Sequence, residues 1–90
     1  MIFLWDSGKA AANLNKHGVD FREAATVFDD PLSTTYPDVG NSAVERRFVM
    51  IGASAPGRVV VVAYTEQDEA VRIISARLAM RRERRSYEET

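Results

Sequence analysis

The hydrophobic positions of this 90-residue chain change period several times, and each change marks an element. Residues 2–5 form a short apolar run that predicts a strand. Asp6 stands where a helix N-cap is wanted, its carboxylate able to accept from a first-turn N–H. Residues 7–17 follow as a helix with a thin apolar face of Ala10, Ala11 and Leu14. Gly18 stops it, because glycine enters the left-handed conformation without a Cβ clash. Asp20 opens a second helix, with Glu23 as a capping-box acid and Val19 available to staple onto Ala24. Phe21, Ala24, Ala25 and Phe28 recur at i, i+3, i+4 and i+7, one buried stripe, and Asp29-Asp30-Pro31 ends it.

Beyond Pro31 the period shortens to two. Residues 32–38 suit a strand, which Pro37 confines to an edge or to the strand's end. Residues 39–43 read as a loop. Residues 45–53 alternate Arg47, Val49 and Ile51 against Phe48 and Met50, a strand with two distinct faces. After a turn at 54–57, residues 58–65 are apolar on both faces, which predicts a central strand covered on both sides. A polar connection at 66–69 leads to a strand at 70–75. From Ala76 the spacing turns helical: Ala76, Ala79, Met80, Glu83 and Tyr87 fall on one stripe. The expected last helix therefore covers 76–88, capped by Ser75, with Arg77, Arg81, Arg84 and Arg85 lining one side. The order β-α-α-β-β-β-β-α, with short later links, predicts an α+β fold: one antiparallel sheet, two N-terminal helices and a basic C-terminal helix. Ninety residues are expected to make one domain, 1–90.

Composition narrows the chemistry. Hydrophobic residues at 46% and charged residues at 28% are ordinary for a globular protein. No cysteine is present, so disulfides and thiolate metal sites are excluded, and one histidine leaves little material for zinc. No metal or cofactor is expected. The N-terminal apolar run lacks a basic start and is short for a signal peptide or a membrane span, so the cytoplasm is the expected compartment, with no membrane association. Charge changes the picture more. The last nineteen residues hold six arginines against three acids, whereas the first 71 hold six Lys/Arg against ten Asp/Glu. The near-neutral total of −1 hides a basic end suited to an anionic partner.

Several pieces then fall in a specific order: Trp5-Asp6 with Lys9; Asn13 with Lys16-His17-Gly18-Val19; Phe21 with Glu23-Ala24 and Val27-Phe28; Asp30-Pro31; Glu45-Arg46-Arg47; Ile51-Gly52; Gly57-Arg58; Tyr64-Thr65; Arg72 through Arg77; and Glu83-Arg84-Arg85 with Tyr87. In this spacing, from about Phe3 to Tyr87, the chain resembles the BrnT toxins of bacterial type II toxin–antitoxin systems, ribonucleases of the RelE-like superfamily. The resemblance implies a RelE-like fold and mRNA cleavage that arrests translation. It also implies a BrnA-like antitoxin with a ribbon-helix-helix DNA-binding part, in a hetero-oligomer that reaches operator DNA only through the antitoxin. One position departs from the pattern: Gln67 stands where the family commonly has an arginine after the Tyr-Thr pair.

Metal-free RNA cleavage needs the 2′-hydroxyl deprotonated, the oxyanion stabilised and the leaving 5′-oxygen protonated. Arginine suits the second task, being permanently charged and forked onto phosphate oxygens. Arg72 and Arg77 come first, flanking the expected strand–helix junction and pointing at one phosphate; Arg46 and Arg81 come second. His17 is a candidate acid or base, or else serves its own helix C-terminus. Glu45 and Glu83 are alternative bases, and Glu83 could instead sit in a structural ion pair. Tyr87 is a proton donor, a stacking platform or a core residue. Lys9, Lys16, Arg84 and Arg85 are candidate phosphate contacts. Without a forced acid–base pair, a non-catalytic module binding RNA or protein through the arginine helix stays open.

Overall fold

The computed structural model describes residues 1–38 and 46–89. Among them the elements run β1 (Ile2–Leu4), α1 (Ser7–His17), α2 (Phe21–Thr26), a 3-10 turn (Val27–Asp29), β2 (Thr34–Pro37), β3 (Arg47–Ala53), β4 (Val59–Gln67), β5 (Ala70–Leu78) and α3 (Arg81–Glu88). The sheet order is β1-β5-β4-β3-β2. The expected loop at 39–43 and the candidate base Glu45 lie outside the described residues.

Local chemistry sets the first half. The Asp6 carboxylate accepts from the Lys9 N–H at 2.8 Å and starts α1. Gly18, at φ 70°, closes it with its N–H on the Leu14 carbonyl. Asp20 caps α2 by accepting from the Arg22 N–H at 2.7 Å. Glu23 does not complete the expected capping box. Arg58 and Ser54 claim its carboxylate instead, at 2.9 and 2.7 Å, and a guanidinium outbids a backbone amide for it.

β2 through β5 form an antiparallel meander. β1, however, pairs with β5 in parallel, so the sheet is mixed rather than antiparallel throughout. α1 and α2 carry the chain across the sheet to the opposite edge at β2, and the three reversals of the meander bring β5 back beside β1 in the same direction. β4 is the central strand, as its two apolar faces require. β2 is an edge strand and tolerates Pro37.

The core lies between α1–α2 and one face of the sheet. Phe21, Ala24 and Val27 pack there with Val60, Val62, Tyr64, Val71, Ile73 and Ala76. An aromatic chain extends it, Phe3 to Phe28 at 5.1 Å, Phe28 to Tyr64 at 4.8 Å and Phe48 to Tyr64 at 5.6 Å between ring centroids. Gly52 permits the close approach of the 3-10 turn: a Cβ there would stand 2.9 Å from both Val27 Cγ1 and Ser33 Cβ.

The end of the chain departs most from its sequence pattern. β5 continues through Ala76, Arg77 and Leu78, pairing with Val62, Val61 and Val60, and α3 starts only at Arg81. Ser75 is therefore a strand residue, not a cap, and Arg77 is not on the basic helix. The cause is tertiary. Asn13 of α1 donates to the Ala76 carbonyl at 2.8 Å and accepts from the Ala76 N–H at 3.1 Å. A strand edge satisfied on one side by Asn13 and on the other by β4 outweighs the helical spacing of Ala76, Ala79 and Met80.

Candidate functional site: a cationic band on the last strand

A bulge in β5 organises the candidate residues. Val60 to Ala63 pair with Leu78 to Ser75, but Tyr64 pairs with Ile73, so Ile74 is an extra residue facing no partner. Strand side chains alternate between faces, so Arg72 and Arg77, five positions apart, would point opposite ways on a regular strand. The extra residue restores the phase. Val71, Ile73 and Ala76 face the core, and Arg72, Ser75 and Arg77 share the far face with their partners Thr65, Ala63 and Val61. Their partners Thr65 and Val61 are four positions apart on β4, with the one row of Ala63 and Ser75 between, so the two arginines stand roughly 13 Å apart along the strand. The expected strand–helix junction between them is therefore corrected: both rise from one face of one strand, and α3 begins only beyond Arg77.

Their surroundings differ. Arg72 is exposed, and among the described residues no carboxylate pairs with it. Arg77 forks onto Glu83 of α3, Nη1 to Oε1 at 2.8 Å and Nη2 to Oε2 at 2.9 Å. Glu83 also accepts from the Met80 N–H at 2.8 Å. It is the third residue of α3, so one carboxylate both caps the helix and anchors it to the sheet. The Arg77 hydrogen bonds, against the opposing effect of burial, hold the Glu83 carboxyl below its ordinary 4.5. A carboxylate held this way is a poor base.

The other end of α3 is tied through Tyr87, whose hydroxyl donates to Asp30 Oδ2. That hydrogen bond, then burial, raises the tyrosine's pKa. Asp30 also accepts from the Ala53 N–H at 2.7 Å. Burial would raise the Asp30 carboxyl, but these donors and the Leu32 N–H prevail and leave it lowered. Tyr87 is thus half-buried against a carboxylate rather than packed in the core. Arg81, Arg84 and Arg85 are exposed on α3, where Arg84 lies 3.8 Å from Glu88.

The N-terminal candidates reach the same strand from the side. Lys9, Lys16 and His17 line a shallow cleft of about 250 Å³ with Ala12, Asn13, Ile74 and Ser75. The cleft exists because Asn13 seats α1 on the edge of β5. Arg46 lies elsewhere, exposed near the start of β3 with its guanidinium 5.6 Å over the Phe48 ring. Arg47 and Thr65 join this face without standing out in the sequence as site residues, and Ser75 stands out there only as a cap. Far-face pairing is what links the first two to Arg72, and period-two alternation in 45–53 was the available signal for Arg47.

Glu83, Glu23 and Asp30 all have lowered pKa values, so they bind more protons unfolded than folded. Their contribution to stability is complete above the unfolded values and is lost as pH falls through the folded ones. The melting temperature is expected to drop on acidification from about pH 5 to about pH 3. Glu83→Gln should fall less steeply over that interval than the wild type. Parallel acid profiles would show that the fork contributes nothing.

The fold and this band define a small α+β protein whose mixed sheet presents cationic side chains suited to an anionic polymer. A family model described as the ribonuclease toxin BrnT of type II toxin–antitoxin systems matches residues 5–83, and the chain belongs to that family. The crystal structure of the Brucella abortus ribonuclease toxin BrnT is similar in fold, with a TM-score of 0.68 and 24% identity, over 90% of this chain and 100% of that one. A search of curated protein sequences gives no match. The family implies ribonuclease activity and an antitoxin partner. No helix among the described residues is long and apolar enough to cross a membrane.

Proposed function

We propose that this chain is a RelE-like toxin that cuts mRNA by metal-independent transesterification and so arrests translation in the bacterial cytoplasm. The observation that carries the reading is the meeting of Lys9, Lys16 and His17 with Ser75 in one cleft, on the strand that also presents Arg72. His17 deprotonates the 2′-hydroxyl or protonates the departing 5′-oxygen, with Glu45 as the alternative base. The 2′-oxygen attacks the adjacent phosphorus, the P–O5′ bond breaks, and a 2′,3′-cyclic phosphate and a 5′-hydroxyl result. Arg72 stabilises the pentacovalent oxyanion. Arg77 adds positive potential from a fixed position, with Glu83 as its positioning residue, and Tyr87 holds α3 in place. Lys9, Lys16, Arg46, Arg81, Arg84 and Arg85 contact phosphates. The partner is a BrnA-like ribbon-helix-helix antitoxin in a hetero-oligomer that masks the basic surface and binds operator DNA through the antitoxin alone.

The test is incubation of purified protein with RNA in EDTA. Products ending in 2′,3′-cyclic phosphate are expected, together with growth arrest on induction and protection by the co-expressed antitoxin. The bonds that occupy Glu83 and Tyr87 favour one competing reading, a non-catalytic RNA- or protein-binding module. RNA binding without cleavage would establish it.

A further inference from the structure

Two buried polar atoms among the described residues lack hydrogen-bond partners, Arg47 Nε and Thr65 Oγ1. They belong to cross-strand partners: Arg47 of β3 pairs with Thr65 of β4, and Thr65 pairs in turn with Arg72 of β5. All three point to the far face, so the row runs arginine, threonine, arginine across three adjacent strands. Thr65 is wholly buried. An unsatisfied buried hydroxyl and guanidinium N–H are costly, and natural sequences rarely keep both unless something completes them. The Asp38 carboxylate, 3.9 Å from Arg47 Nε, is near but beyond hydrogen-bonding distance.

The geometry points to an anion seat formed by Arg47, Thr65 and Arg72, taking a phosphodiester of single-stranded RNA. This rests on the ribonuclease reading and adds a positioning subsite to it. Arg47 and Arg72 approach from either side, and the Thr65 hydroxyl, covered in this structure, is the neutral donor on the floor once the arginine arms lift onto the phosphate. Neighbouring strands stand about 4.8 Å apart, so the two arginine backbones lie about 10 Å apart, within reach of one phosphate for two forked arms. Asp38 holds Arg47 in position and competes weakly with the incoming anion.

The test uses the whole chain and an uncleavable 2′-O-methyl oligonucleotide, with affinity followed across salt concentrations. Arg47→Gln is expected to flatten the log–log salt dependence by roughly 0.7, as one lost single-strand contact should. Thr65→Val should weaken binding roughly tenfold at unchanged slope. Arg22→Gln, an exposed change on α2, controls for net charge and should leave both unchanged. In the wild type, the Arg47 Nε–H resonance should move with the oligonucleotide and, less strongly, with inorganic phosphate. Wild-type affinity and slope in Arg47→Gln would overturn the seat even if the protein cleaves RNA. A lower melting temperature in Thr65→Val with unchanged RNA affinity would also overturn it, assigning the two orphan atoms to each other. A protein that binds through Arg47 yet never cleaves keeps the seat and loses the ribonuclease reading.

Discussion

Replacing Arg72 with alanine is expected to slow RNA cleavage by roughly 10²–10³-fold, the cost of removing one preorganised donor from a developing oxyanion. The melting temperature should barely move, because Arg72 is exposed and holds no ion pair among the described residues. Arg77→Ala makes the informative contrast. It also removes charge from the far face, but it strands Glu83 and frees the first turn of α3, so it should lower both rate and melting temperature. Arg81, Arg84 and Arg85 should behave as phosphate contacts, each flattening the salt dependence of RNA affinity by roughly 0.7. The checks are cleavage rate, affinity at several salt concentrations and thermal melting for each variant. Wild-type cleavage by Arg72→Ala would place oxyanion stabilisation elsewhere and direct attention to His17 with Glu45.

The largest stability effect is expected at Asn13. Its side chain donates to the Val19 carbonyl at 3.0 Å and bonds Ala76 in both directions. Asn13→Ala leaves two carbonyls and an N–H unsatisfied in a buried place, each costing about 1–3 kcal/mol. Even at the lower end the sum is about 3 kcal/mol, or roughly 12–24 °C in melting temperature for a domain of this size. Leu14→Ala, next along the helix but half exposed, should change little. A loss of less than ~3 °C in Asn13→Ala would mean that water replaces the amide and that the β5 edge does not depend on it.

The same asparagine marks the limit of what the sequence disclosed. Elements governed by neighbours in the chain were readable: α1 begins after Asp6 and ends at Gly18, and β4 lies at the centre of the sheet. The C-terminal boundary was not, because the spacing of Ala76, Ala79, Met80 and Glu83 is helical and what overrides it, Asn13, lies 63 positions earlier. The parallel pairing of β1 has the same origin, a long-range choice with no local signature. At the site, the identities of Arg72, Arg77 and Glu83 stood out, but the bond that joins Glu83 to Arg77 did not. It depends on where α3 starts, and three residues of strand and a two-residue link stood where the first turn of a helix was expected. The family resemblance carried identity further than geometry: it pointed to the toxin family without revealing how the arginines share a face.

That shared face has a source unrelated to side-chain chemistry. What the chain stores at Ile74 is parity, one additional count between Ile73 and Ser75 that sets odd against even for everything on either side. Many residues comfortable in extended backbone would keep the count, whereas removing the position would invert one arginine relative to the other. Ranked by tolerance to substitution, the position would look unimportant. Ranked by tolerance to a change in length, it would be among the most demanding in the strand, and a single-codon deletion there would rewrite the surface without altering any arginine.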